Sequence, residues 1–259
     1  GQTPADWKIV KIFSGSPAKP ITMAPAFSQF GGRMVITFAT GSALYPMDIR
    51  RGQQTIYGIY DDVSKSDPVP VKDDNLQEQT ITQTDTGVVS GLSDSSKRAL
   101  RMLSNNPLLA EHKGWKVNLE VGNGHESPTT AISVRDGTVI LSTSWIRPDA
   151  FVDITRALQA KCFRDMRGRS GSLMMLNVLN GGQPDKKIPH LTAKLDDGSQ
   201  IVIGGFLTND LTSPVLAYSK HTYFMNNEGQ FSLYNNMNNS ENSNSFLGNS
   251  IYTKGAKPW

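Results

Sequence analysis

Residues 131–142 read AISVRDGTVILS. Asp136 and Gly137 separate two apolar segments that are rich in β-branched residues, and an Asp-Gly pair in this position is a strong signal for a two-residue hairpin turn. Glycine adopts the positive φ that such a turn needs without steric cost. The stretch therefore predicts two antiparallel strands, and it belongs to a longer unit that recurs in the chain.

A similar layout occurs three times, in a first unit at 22–61, a second unit at 126–182 and a more divergent third unit at 212–234. In the first two units a proline opens the hairpin. The distance from this proline to the end of the second strand is the same in both units, from Pro25 to Ala39 and from Pro128 to Ser142. A proline that opens a strand costs no ladder hydrogen bond. A hairpin followed by a third strand is most of a four-stranded propeller blade. The repeat predicts an all-β fold of β-propeller blades.

The strands of these units are marked by β-branched and aromatic residues between turn residues. In the first unit, RMVITFAT at 33–40 follows a Gly-Gly turn at 31–32, and TIYGIYD at 55–61 supplies the third strand. Outside the units, an Asp-Gly pair at 197–198 predicts one more hairpin. Strands and turns thus account for most of the regular structure expected.

Residues 1–259 are interpreted as the C-terminal part of a single β-propeller domain. About three to four blades are visible, and the spacing between units exceeds the ~40 to 50 residues of a compact blade, so we expect a larger ring with insertions. A polar loop is predicted near 64–75, a short helix near 147–166 and an Asn-rich surface loop at 235–249. The predicted helix rests on Phe151, Ile154, Leu158 and Cys162, which recur at helical spacing.

Composition excludes some classes of function. The formal net charge is +3, from 26 basic and 23 acidic residues that are scattered along the chain, so nucleic acid is not an expected partner. No window reaches the ~18 to 20 apolar residues of a membrane span. The N-terminal residues lack the layout of a signal peptide, so we expect a mature chain or an excised fragment. Cys162 is the single cysteine and forms no internal disulfide.

Patterns for catalysis and metal binding are incomplete in this sequence. GNGHES at 122–127 lacks the last glycine of a dinucleotide fingerprint, and a second histidine at the zinc-protease spacing is replaced by Thr129. Ser170 lies in GRSGS, which misses the nucleophile-elbow pattern. The acidic pairs lack the ligand spacing of a calcium loop. We therefore expect no enzyme activity, no metal and no cofactor site in this segment.

Aromatic side chains are the remaining candidates for contact with a partner. Trp115, Trp145 and Tyr45 are the selected residues, because large aromatic side chains anchor many protein interfaces. For each of them, packing inside a blade is the competing and more common role.

Several phrases, read in order from about residue 6 to residue 182, resemble a known family. They are PITMAP at 20–25, VITFATGSAL at 35–44, IYGIYDD at 56–62, NLQEQTI at 75–81, LSNNP at 103–107, GWKVNL at 114–119 and GSLMMLNVLNGG at 171–182. Together they are similar to the succession of phrases in the C-terminal β-propeller of the type IV pilus tip-associated adhesins, the PilC/PilY pilus biogenesis family.

This resemblance implies a non-enzymatic module at the pilus tip or outer membrane of a secreted protein. It implies roles in pilus assembly, twitching motility and adhesion, with pilins or minor pilins and a host-cell or surface ligand as partners. The family's Asp-rich calcium loop and its GDLYGNLWKFDL phrase lie upstream of the matching part, so calcium regulation is not transferred to any residue of this chain.

Two alternatives remain open at the level of sequence. One is a propeller-fold enzyme of the quinone-dependent dehydrogenase type, because fold alone does not determine function. The other is a carbohydrate-binding propeller with a surface built around Trp115 and Trp145. A convergent set of charged residues beside a cofactor platform would favour the first, and exposed neighbouring indoles would favour the second.

Overall fold

The computed structural model describes residues 3, 9–42, 52–61, 69–92, 95–119, 126–146, 169–188, 190–208, 216–218, 221–225 and 231–235. Within these ranges the regular structure consists of β-strands and a 3-10 turn at Asp73–Asn75, without an α-helix. The all-β class predicted from the sequence is therefore confirmed. Tyr45, the predicted helix at 147–166 with Cys162, and residues 236–249 of the Asn-rich loop lie outside the described residues.

The strands in chain order are β1 Ala26–Phe30, β2 Arg33–Ala39, β3 Thr55–Asp61, β4 Gln77–Gln79, β5 Ile81–Val89, β6 Lys97–Leu103, β7 Gly114–Asn118, β8 Ser127–Pro128, β9 Ser133–Arg135, β10 Thr138–Ile146, β11 Arg169–Asn177, β12 Leu191–Lys194, β13 Gln200–Ile203, β14 Gly205–Thr208, β15 Leu216–Tyr218, β16 His221–Met225 and β17 Phe231–Asn235. They form three sheets. The first has the order β1-β2-β3-β7-β4, the second β13-β12-β5-β6-β14-β11-β10-β8 with β9 also paired to β10, and the third β15-β16-β17.

The predicted hairpins are confirmed. The turn between β1 and β2 has φ values of 58° and 76° at Gly31 and Gly32, and the turn between β9 and β10 has 46° and 82° at Asp136 and Gly137. Positive φ at both central residues is the geometry that matches the twist of the flanking strands. The Asp-Gly pair at 197–198 likewise joins β12 to β13, which are antiparallel.

The first two units share one strand layout. Strands β1-β2-β3-β7 and β9-β10-β11-β14 are each four antiparallel neighbours in space. In both units the chain forms other strands before it returns to add the fourth strand of the unit. These intervening strands, called the excursion, are β4 to β6 in the first unit and the β12–β13 hairpin in the second. The extra chain between the first two units therefore contributes the strands β4 to β7. The excursion of the first unit pairs with strands of the second, because β6 lies beside β14 and β5 beside β12.

Apolar residues from both of these sheets form one shared core. Residues of β2, β3 and β7 that point to the inner face pack against inner-face residues of β10 and β11; they include Val35, Ile56, Val117, Leu141 and Leu176. Alternation along each strand places neighbouring residues on the opposite face. Two sheet faces thus bury each other, as expected for neighbouring layers of β-structure.

The opposite face of the first sheet is covered by segments outside the strands. Phe13 pairs with Val71 in an isolated parallel bridge. Its ring lies 5.2 Å from that of Phe38 and 4.9 Å from that of Tyr57. Residues 69–75, the described part of the predicted loop at 64–75, are therefore attached to the sheet through Val71 and the 3-10 turn.

Candidate functional site

Trp115 is a core residue in this structure. Its side chain has 0% exposure, and its indole Nε1 donates a 2.9 Å hydrogen bond to the carbonyl oxygen of Val178. A Cβ added at Gly58 would lie 2.1 Å from the ring and one at Gly181 2.2 Å from it. The hypothesis that Trp115 contacts a partner is therefore corrected, because two glycine backbones and the surrounding sheets enclose the ring.

Trp145 has a different environment. Its ring is partly buried in β10, and the guanidinium carbon of Arg101 lies 5.4 Å from the ring centroid. A cation over an indole face is attracted by the ring quadrupole. Because Trp115 is buried, the two tryptophans do not form a common carbohydrate-binding surface.

Arg101 and Glu126 form a buried ion pair beneath Trp145. Arg101 Nη1 lies 2.6 Å from Glu126 Oε1, and Arg101 Nη2 lies 2.8 Å from Glu126 Oε2. The two side chains are only 1% and 3% exposed. Such a two-pronged arrangement is the strong form of a charge-assisted hydrogen bond. It also compensates two charges that would be costly to bury alone.

Two hydroxyl groups complete this buried polar cluster. Ser172 Oγ accepts a 2.9 Å hydrogen bond from Arg101 Nη1 and lies 2.5 Å from Thr143 Oγ1, which also donates to Glu126. Arg101 Nε, although buried, has no hydrogen-bond partner among the described residues. Among the described residues, the two hydroxyl groups are oriented by a carboxylate and a guanidinium. The described contacts are those of an ion pair whose two charges compensate each other, with hydroxyl groups bound to it.

A closely packed glycine lies on the strand between Arg101 and Met174. Arg101 in β6 is paired with Gly205 in β14, and Gly205 is paired with Met174 in β11. A Cβ at Gly205 would lie 2.5 Å from the carbonyl oxygen of Leu173 and 2.6 Å from Met174 Sδ. Arg101 therefore crosses a strand position without a side chain and reaches Ser172 in β11.

Gln79 is a second buried polar residue that the sequence interpretation missed. Its Nε2 donates to the carbonyl oxygens of Asn106 and Asn180 at 2.8 and 3.0 Å. Its Oε1 accepts from Ser104 Oγ and from the Asn106 amide at 2.7 and 2.8 Å. With 0% exposure, the side-chain amide is fully satisfied and joins β4 to two loops, the one after β6 and the turn after β11. In the sequence, Gln79 stands out only as part of the family-like phrase NLQEQTI, and that phrase does not indicate that the side chain is buried.

Tyr57 lies at the edge of the aromatic group on the outer face of the first sheet. Its hydroxyl donates a 2.9 Å hydrogen bond to Asp73 Oδ1, and Lys116 Nζ lies 3.4 Å from Asp73 Oδ2. Burial, together with the nearby carboxylate of Asp73, raises the pKa of the Tyr57 phenol well above its ordinary value. The residue is therefore a neutral hydrogen-bond donor across the physiological range.

Phe27 is an exposed aromatic residue of the first unit. It lies in β1, the edge strand of the first sheet, and is 66% exposed. Its strand, AFSQF, carries no charged residue and no proline, although these are the usual protection of a sheet edge. Phe27 was not among the selected aromatics, and it is better placed for a partner than Trp115.

Metal and membrane features were also considered for the described ranges. There, no group of three or more His, Cys, Asp or Glu side chains is arranged to hold a metal ion. In the same part of the chain, no helix has the length and hydropathy needed to cross a membrane.

Comparison with known proteins gives little. No family model matches this chain, and no curated protein matches it. Among solved structures, BamB from Moraxella catarrhalis is similar at 11% sequence identity, over 81% of this chain and 68% of that chain, with a TM-score of 0.17. That score is too low to indicate a common fold.

Proposed function

We propose that this chain is part of a β-propeller that acts as a non-enzymatic binding and assembly module of the type IV pilus tip adhesin kind. The observation that carries the proposal is the ordered resemblance of its phrases. The phrases at 35–44, 56–62 and 114–119 include β2, β3 and β7, which are neighbours in one sheet. The phrase at 171–182 includes most of β11, the equivalent of β3 in the second unit. The family-like phrases therefore overlap strands of both units.

The buried polar cluster has a structural role in the proposed module. Its charges are paired with each other, and its hydroxyl groups donate into that pair rather than toward solvent. Partner contact is assigned to the edge strand β1, where Phe27 is exposed. The expected partner is a pilin or minor pilin, with surface adhesion and twitching motility as the cellular outcome.

The test uses the source bacterium and variants that keep the fold. Phe27→Lys places a charge on an exposed edge and should reduce piliation, twitching and adherence, because an edge lysine opposes pairing with another chain. Leu109→Lys is the matched control, since Leu109 is 52% exposed in a loop away from β1. Deletion of the whole region is the stronger perturbation. Unchanged piliation, twitching and adherence in the deletion strain would refute the proposal.

A further inference from the structure

Residues 126–130 form a strap across the end of the second sheet. Strand β8 pairs with β10 through Thr143 opposite Pro128 and Ser144 opposite Ser127. Proline has no N–H group, so one of these two positions contributes no donor to the ladder. The backbone connection of the strap to β10 is therefore short.

Further hydrogen bonds from the backbone and from side chains attach the strap to β10. The Thr129 amide donates a 3.0 Å hydrogen bond to the carbonyl oxygen of Ser142, and the Ser142 amide donates to Thr130 Oγ1 at 3.2 Å. On the other side, Pro128 lies close to the first unit just after β2, because a Cβ at Gly41 would lie 2.7 Å from Pro128 Cδ. The strap thus lies where the first two units meet.

Glu126 begins the strap and carries its strongest interaction. Its carboxylate is bound to Arg101 by two hydrogen bonds and also accepts from Thr143 and Ser172. Arg101 belongs to β6, which is part of the first unit's excursion. One buried ion pair therefore connects that excursion, the strap and the body of the second unit.

We propose that residues 126–130 are a latched strap, closed by the Arg101–Glu126 ion pair, whose local opening uncovers the edge of β10 from Ser142 to Ser144. Opening lets water reach both charges and breaks a backbone ladder of two residue pairs, so the ion pair is the main interaction that keeps the strap closed. Proteins open locally in this way at segments with few backbone and apolar contacts. In the open state β10 loses its pairing with β8 at Thr143 and Ser144.

Hydrogen exchange of the 259-residue chain, followed by mass spectrometry, tests the latch. Glu126→Gln places a side-chain NH2 opposite the Arg101 donors and leaves the arginine charge buried without compensation. Loss of one partner of a buried pair destabilises strongly. We expect the amides of Ser127, Thr129 and Ser142 to exchange at least ~10-fold faster, with no change at Ile56 in the first sheet.

A double variant separates charge from packing. Arg101→Met with Glu126→Leu replaces the pair by apolar side chains of similar volume, an exchange that is often neutral or stabilising. We expect strap exchange in this variant to return to within ~3-fold of the natural chain. The single change Arg101→Met should behave like Glu126→Gln, because it leaves the carboxylate buried alone.

A milder variant keeps both charges, in case the single variants do not fold. Ser172→Ala removes one hydroxyl from the cluster and should accelerate strap exchange about 3- to 10-fold. Ser199→Ala, which removes an exposed hydroxyl bound to Asp197, is the matched control and should leave the strap unchanged. Faster exchange spread evenly over both sheets, or an unchanged strap in Glu126→Gln and Ser172→Ala, would overturn the latch.

Discussion

Replacing Gly58 by alanine should destabilise the protein through a clash with Trp115. The added Cβ would lie 2.1 Å from Trp115 Cε2 and 2.4 Å from both Cζ2 and Nε1. Ordinary contacts between such atoms begin at about 3.5 Å, so the ring would have to move by more than an ångström. Gly181 leaves no space on the ring, and the indole is fully buried.

Two contributions set the size of the effect. Overpacking of a well-filled core costs about 1 to 3 kcal/mol. Displacing the ring also breaks the Trp115 Nε1 bond to Val178, and a buried N–H without a partner costs about 1 to 3 kcal/mol. Together they predict a loss of about 4 kcal/mol in unfolding free energy. At roughly 2 to 4 °C per kcal/mol for a chain of this size, the melting temperature should fall by about 10 °C.

Urea denaturation followed by far-ultraviolet circular dichroism provides the measurement. The decisive comparison is Gly58→Ala in a Trp115→Leu background, where the ring is absent. There the substitution should cost little, or should stabilise by about 0.4 to 1 kcal/mol because alanine restricts the unfolded chain. An equal loss in both backgrounds, or no loss in the natural chain, would refute the clash.

Three further outcomes follow from the geometry. Gln79→Glu should lower the urea-unfolding free energy by about 2 to 4 kcal/mol, because it removes two buried donors, whereas Gln77→Glu in the same strand should change it by less than about 0.5 kcal/mol. Because the pKa of Tyr57 is raised, its contribution to stability is complete below the ordinary phenol pKa of about 10 and is lost as the pH rises above that value. Alkaline titration followed by absorbance at 295 nm should therefore show a phenol that ionises at unusually high pH, and Tyr57→Phe should remove this step. Gly137→Ala should reduce thermal stability more than Gly198→Ala, since both have φ near 83° but only the former meets an aromatic ring, at 2.5 Å.

The local elements of the fold could be predicted because their signals lie within a few residues. The Gly-Gly turn at 31–32 and the Asp-Gly turns at 136–137 and 197–198 each specify a hairpin through their tolerance of positive φ. The pairing of β6 with β14 and of β5 with β12 could not be predicted. Backbone hydrogen bonds between distant strands require no particular side chain, so they leave no mark on the sequence.

The buried polar residues were missed for a related reason. Arg101 and Glu126, considered one at a time in the sequence, would be expected at the surface. Their burial is tolerated because the fold brings the two charges together, so that each compensates the desolvation cost of the other. Trp115 was misjudged in the opposite direction, because the glycines that enclose it, Gly58 and Gly181, are 57 and 66 residues away along the chain. The burial of these polar residues and the enclosure of Trp115 both depend on contacts between residues far apart in the chain, which the local sequence does not reveal.

The excursion of the first unit into the second sheet affects how the chain can acquire its structure. The hairpin of β5 and β6 ends at Leu103, whereas its neighbours β12 and β14 begin at Leu191 and Gly205. During synthesis the free edges of β5 and β6 therefore stay unpaired until about a hundred more residues have been added. Such high contact order slows folding and prolongs exposure to aggregation. A nascent chain halted before residue 191 should therefore depend on a chaperone far more than the completed chain does.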